Sequence, residues 1–529
     1  MPRQKRPNLR TGQNSRRSNS KLYKWGKSNW QPLDRAAAIA MVLFSIAIAV
    51  MLLFSSQALP RVRTFSWEDK AVGAEDIAFL MEFTQPVDTQ SVEENLKIDP
   101  ELPGKFSWAG RKMAYTLKGP APYGEQYQVS LLTAKALNRK SGFERFQTAF
   151  KTRDRIFAYI GVEGEELGRL ILYNVTSQQK TLLTDASQRV MNFEPYPGRD
   201  RILYLATPTE GTETTGTSSD LYTVTTGLTA LDKAPTWQFW RSSDAPVPAG
   251  KTQQLLDSQD YQNLKFDLSP DGKRVVIQRI NRENPSDSGP WVLAEGQAPR
   301  KLETAPSGDF RIAPDGLSLL LQQGEGTAVV SLDDASTEQS EQAGELLDFL
   351  PDYGQTLDVA GDGSAAAFVN FNQDDPEKQF TQSLFWVSNR GEEKQLLQTD
   401  GSIVQAQFSN NNKVLYGLLE RPVPGEDYQV VPYLSAINVS TGEVRELLEM
   451  PPQPDITVSL SPDGLAMLFD EALVGDSNAK NSKDAAELPT HRLWLLPLFR
   501  SLEARQEGEP ASLPATELEI FGRHPEWLP

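Results

Sequence analysis

From residue 154 onward, apolar and polar positions repeat in one recognisable unit. In the stretch around 264–278, Leu264, Phe266 and Leu268 alternate with Lys265 and Asp267, the period-2 pattern of a half-buried strand. Ser269-Pro-Asp-Gly272 follows. Pro270 presets φ at the first central turn position, and Gly272 tolerates φ > 0 where the chain reverses. Val275, Val276 and Ile277 then restart a β-branched strand that is buried on both faces if it is central. A lone hairpin is marginal in water and needs neighbours, which the sequence supplies by repetition.

The turn recurs as Tyr196-Pro-Gly-Arg-Asp200, Ala313-Pro-Asp-Gly316, Ala360-Gly-Asp-Gly363, Ser409-Asn-Asn-Asn412 and Ser461-Pro-Asp-Gly464. From Ser269 onward the spacings are 44, 47, 49 and 52 residues. Each turn is followed by an apolar run, and often by a second hairpin such as Leu384-Phe-Trp-Val-Ser-Asn-Arg-Gly391. Four strands per repeat, at a period in the forties, predict β-propeller blades. Six blades are anchored by turns. A first blade at 155–186 lacks a clear inner strand, so about seven are expected, with Leu518–Phe521 completing an end blade and closing the ring. Residues 207–217 and 476–488 read as insertions. The Ser-Pro-Asp-Gly turns resemble those of TolB-type, WD-like propellers, a resemblance that runs over 154–529.

Residues 60–153 follow a different pattern. Ile77–Phe83, Lys112–Leu117, Tyr127–Leu131 and Phe146–Phe150 are short strands separated by Pro, Gly and Asn turns, a spacing that suggests a β-sandwich. The order Phe83-Thr-Gln-Pro-Val-Asp88, Ile98-Asp-Pro100, Trp108, Tyr123-Gly-Glu-Gln-Tyr-Gln-Val129 and Phe150-Lys-Thr152 resembles bacterial Ig-like domains of the S-layer type, departing from it at 138–142. That resemblance implies a spacer or adhesion module. Trp67 and Trp108 are expected to be packed in the sandwich rather than to serve as carbohydrate platforms.

The N-terminus changes the picture again. Residues 1–35 hold ten Lys/Arg and one Asp without apolar periodicity, and read as a disordered cytoplasmic tail. Arg16-Arg17 is followed by Ser-Asn-Ser, which does not suit an export signal. Residues 36–54 are nineteen positions without a charge, about 28 Å if helical. They predict a transmembrane signal anchor over 36–59 that meets the lipid bilayer. Lys21, Lys24, Trp25, Lys27, Trp30 and Arg35 are then candidate membrane-surface residues, rings at the interface and charges on anionic lipid. The basic flank places the tail in the cytoplasm and the bulk of the chain on the extracytoplasmic, periplasmic side of a bacterial membrane. The expected fold class is thus mainly β: one N-terminal transmembrane helix, an Ig-like β-sandwich, then the propeller.

Charge and chemistry narrow the function. The net charge is -17 although the tail is basic, so the acidic body disfavours nucleic acid. No Cys occurs, which excludes disulfides and thiolate sites, and the only histidines are His491 and His524. Both are expected at the surface, and two distant His make no zinc site unaided. The Asp residues of the repeated turns read as turn formers, and Asp374-Asp375 lacks an EF-hand spacing. No Gly-x-Ser-x-Gly box is present. These features point to a non-enzymatic, membrane-anchored binding or scaffold protein without a cofactor, whose propeller presents a face to an envelope protein or polysaccharide. The alternative is an envelope enzyme acting on glycans. It requires two carboxylates in the propeller channel, about 5–10 Å apart.

Overall fold

The computed structural model describes residues 32–55, 59–137, 142–209, 218–231, 247–305, 307–332, 345–423, 425, 429–453, 455–473 and 490–529. Lys21, Lys24, Trp25, Lys27, Trp30, positions 210–217 of the 207–217 insertion and the insertion at 476–488 lie outside these residues, as do 138–141. Two compact units are present, residues 1–59 and 60–529.

The first unit contains the helix Pro32–Ser55, and here the sequence expectation is corrected. Among the described residues, no helix is long and apolar enough to cross a membrane. The helix opens on Pro32 and carries Arg35, exposed, in its first turn. The single-pass topology and the extracytoplasmic placement rested on that helix and fall with it.

In the second unit the chain is almost wholly β. Residues 62–152 form two four-stranded sheets. One joins Val62–Phe65, Ala78–Phe83, Lys112–Leu117 and Gly104–Ala109; the other joins Ala71–Val72, Phe146–Thr152, Gln126–Leu131 and Leu96–Asp99. Alternation does the sorting: Phe79, Met81 and Phe83 on one sheet and Tyr127, Val129 and Leu131 on the other are buried in one shared core. Trp67 is 2% exposed, its ring edge-on to Phe79 and Phe150. Trp108 is partly buried, stacks on Phe83 and donates to Glu93 at 2.8 Å. Both tryptophans are therefore packed.

Beyond Ile156 the strands group in fours, each set antiparallel and in sequence order. Blades 2 to 6 begin with the inner strands Gln188–Pro195, Tyr261–Leu268, Phe310–Ile312, Gln355–Val359 and Ser402–Phe408. The last strand, Thr516–Trp527, closes the ring. Its first half pairs with His491–Pro497 of blade 7, and its second half pairs with Ile156–Gly161 to supply the inner strand of blade 1. The missing inner strand of the first repeat is thus supplied from the C-terminal end. Seven blades result, with a hydrophobic cluster at each junction, from blades 1 and 2 round to blades 7 and 1. The second strands lie between neighbouring blades, which is why Ile202–Ala206 and Val275–Ile277 are apolar at successive positions.

The turns behave as their residues require. Gly272, Gly316, Gly363 and Gly464 have φ between 67° and 69°, and Asn412 takes the same place at 56°. Asp271 accepts from Ser269 Oγ at 2.7 Å and from Lys273 N at 3.1 Å, closing its own turn. The blade 7 turn does more. Asp463 is 2% exposed and accepts the Tyr123 N–H at 3.0 Å, while Arg505 donates to Pro120 O and Asp463 O. The sandwich is therefore fastened to the propeller at that turn.

Candidate functional site

Two regions of the propeller gather chemistry. The first is the central channel, where a cavity of about 260 Å³ is lined from every inner strand. One position recurs in register around it, the residue two before each turn: Glu194, Asp267, Arg311, Asp358, Gln407 and Ser459 in blades 2 to 7. Glu526 occupies the same place in blade 1. These side chains clip one blade to the next. Glu194 accepts from Leu268 N at 3.0 Å, Asp267 from Ile312 N at 2.5 Å and Asp358 from Phe408 N at 2.7 Å. Gln407 accepts from Leu460 N at 3.1 Å, and Ser459 Oγ from Trp527 N at 3.2 Å. In each case the donor is the residue that follows the next blade's own channel residue.

The two departures have simple causes. Arg311 has no acceptor to offer and turns to Asp358 at 3.5 Å. Glu526 faces the register position of Pro195, which has no N–H. Burial, with the Asp267 charge nearby, pushes the Glu526 carboxyl up to about 8. Burial also raises Glu194, Asp267 and Asp358, Arg311 working against it in all three.

The histidines are not where the sequence suggested. His524 lines this channel at φ 53°, next to Pro525 and edge-on to Phe193. Burial lowers its pKa, so it is neutral at pH 7. Asp470, 2% exposed, accepts the His524 backbone N–H at 3.0 Å, and its Oδ2 lies 3.5 Å from His491 Nδ1. Both histidines of the chain therefore meet at one buried carboxylate. Among the described residues no group of three or more His, Asp or Glu could hold a metal.

The second region is the connection between Ala365–Asn370 and Gln382–Ser388 in blade 5. Asn372, buried at φ 53°, donates to Thr381 Oγ1 at 2.9 Å and to Ser383 Oγ at 3.0 Å. Asp375 accepts from Glu377 N at 3.0 Å and pairs with Lys378 at 3.2 Å, which together hold its carboxyl below the usual range. Held in this way, the loop projects Phe380 at 87% exposure and φ 68°. Phe380 is the most exposed large apolar side chain among the described residues. Cavities of about 420 Å³ and 320 Å³ flank the loop and share Phe371. Asp352, Asp374 and Asp375 line the first, and Asp400 the second. Of the membrane-surface candidates, Arg35 alone falls among the described residues, exposed in the first unit. Sequence reading placed Asp374-Asp375 on a solvated loop, but missed the aromatic beside them.

No known protein family matches the sequence, and no curated protein does so either. Among solved structures the chain is similar to TolB from Acinetobacter baumannii, with 11% identity over 82% of this chain and 83% of that one and a TM-score of 0.39. It is also similar to an oligogalacturonate lyase in complex with manganese, with 12% identity over 77% and 86% and a TM-score of 0.32. Prolyl oligopeptidase B from Galerina marginata matches at 11% identity over 70% and 51%, TM-score 0.39. The class of the protein, a seven-bladed β-propeller preceded by a two-sheet sandwich, rests on its own strand order and closing strand.

Proposed function

We infer that this is a non-enzymatic binding or scaffold protein whose propeller presents a protein-binding face at blade 5. The observation that carries the reading is Phe380, 87% exposed on a loop fixed by its own hydrogen bonds. A non-glycine residue at positive φ costs of order 1–3 kcal/mol, and a preordered aromatic loses little entropy on binding. The Asp374 and Asp375 rim suits a partner with Lys/Arg around an apolar pocket. In this reading the sandwich is an Ig-like spacer, its strand order being that of the ABED and CFG sheets of such domains.

The test replaces Phe380 in the full chain with a photo-crosslinking phenylalanine analogue, and Leu167 of blade 1 as a control. Adducts are expected at 380, and they should weaken in 0.5 M salt and with the Asp374→Lys, Asp375→Lys pair. Equal adducts at both positions, or adducts indifferent to charge, would end the reading.

The raised carboxyl of Glu526 favours a second reading, proton transfer to a bound glycan in the channel. It requires reducing-sugar release from an oligosaccharide panel that disappears with Glu526→Gln. Clips of the kind made by Glu194, Asp267 and Asp358 argue for a structural channel instead.

A further inference from the structure

The joint between sandwich and propeller encloses a cavity of about 460 Å³. Ile77 and Leu117 face it from the sandwich, and Tyr416 and Phe499 from the propeller. Ile77 is 54% exposed there, an apolar side chain without cover. Cavities of this size between packed units, apolar with a few fixed polar groups, are the usual form of small-molecule sites.

Charge at the joint is unevenly distributed. Asp463 is fully engaged: Oδ1 accepts from Ser461 Oγ and Leu465 N, and Oδ2 accepts from Tyr123 N with Arg155 Nη2 at 3.9 Å. Arg505, which also lines the cavity, uses only Nη1, and only on carbonyls, Pro120 O at 2.7 Å and Asp463 O at 3.2 Å. Among the described residues its Nε and Nη2 have no hydrogen-bond partner and no carboxylate forms an ion pair with it. Burial lowers the Arg505 pKa, with Asp463 only partly opposing. Lys118 adds an exposed cation at the same cavity. In a chain of net charge -17 this is a local cationic, apolar-walled site.

We propose that this cavity binds a small amphipathic carboxylate, its apolar part against Ile77, Leu117 and Phe499 and its carboxylate on Nε and Nη2 of Arg505. Two adjacent N–H groups of a guanidinium match two carboxylate oxygens, which a neutral head group cannot reproduce. Lys118 adds long-range attraction at the cavity edge.

Calorimetric titration of the full chain with decanoate, and with decanol as the uncharged counterpart, tests this. Decanoate is expected to bind at least about tenfold more tightly than decanol, a difference of about 1.4 kcal/mol. Ile77→Glu, which adds a carboxylate to the wall, should weaken decanoate about tenfold or more. Arg505→Lys keeps the charge but loses the fork, and should weaken it by about three- to tenfold. Ile77 is half exposed, so its replacement should leave the fold intact. Lys118→Glu supplies the same repulsion from an exposed position should Ile77→Glu unfold. Equal affinity for decanoate and decanol, no binding of either, or decanoate binding unchanged in the glutamate variants would each overturn the proposal. The cavity shares no residue with the blade 5 rim, so the outcome is independent of the partner-binding reading.

Discussion

The channel and the blade 5 rim solve opposite problems with polar and strained residues. In the channel, Glu194, Asp267, Asp358, Gln407 and Ser459 turn inward to satisfy a neighbouring blade's N–H. At the rim, Asn372, Thr381 and Ser383 are spent on each other so that Phe380 can point away from the protein. Three of the four channel carboxylates are tied to backbone, Glu526 being the exception, and the residue that looks misplaced is held in place by a network. Equivalent positions across repeats hold the ring together; the position with no equivalent stands exposed on a loop.

The comparison breaks if channel substitutions are mild. Asp358→Ala removes the acceptor of the Phe408 N–H and the partner of Arg311. It should cost about 2–4 kcal/mol in urea unfolding; a loss under about 0.5 kcal/mol would refute the clip.

Glu526→Gln sharpens the channel side. An unfolded Glu ionises near 4.3, whereas in the channel Glu526 does so at about 8. Its folded pKa is raised, so its stabilising contribution is complete below about pH 4 and is lost as pH rises through 8. Glu194, Asp267 and Asp358 act in the same direction. His524, with a lowered pKa, acts oppositely, losing its contribution as pH falls below about 6.5. The variant should match the parent at pH 4 and be more stable by roughly 4–5 kcal/mol at pH 8. Parallel melting curves from pH 4 to 8 would contradict this.

On the rim the effects on stability shrink. Asn372→Ala should cost about 1 kcal/mol globally while amide exchange at 373–381 speeds up selectively; uniform acceleration would show that the loop has no order of its own. The smallest change is expected for Phe380→Gly, which relieves the positive φ and should stabilise by about 0.5–1 kcal/mol. The same variant should lose the charge-dependent adducts. Destabilisation by more than about 1 kcal/mol would mean that Phe380 is packed in solution.

Part of the site could be read from the chain. Asp374-Asp375 and the repeated turns were visible, and the channel residues of blades 2 to 7 stand two places before a turn. Their chemistry, Glu, Asp, Arg, Asp, Gln and Ser, hid the equivalence. At five of the seven positions the side chain accepts a neighbouring N–H, a task that no single residue type marks. His524 was read as surface because its strand pairing lies more than 300 residues away, opposite 156–161.

What the sequence determined by itself is local: turns at Gly272, Gly316, Gly363 and Gly464, apolar second strands, alternating sandwich faces and a repeat in the forties. Each follows from steric limits on φ or from burial of neighbouring side chains. Tertiary structure decided how Thr516–Trp527 is divided between blades 7 and 1, which side chains line the channel, and that Asp463 joins sandwich to propeller. Those outcomes depend on hydrogen bonds and packing between residues far apart in sequence, where the energy resides in the pair and neither partner's local pattern carries it.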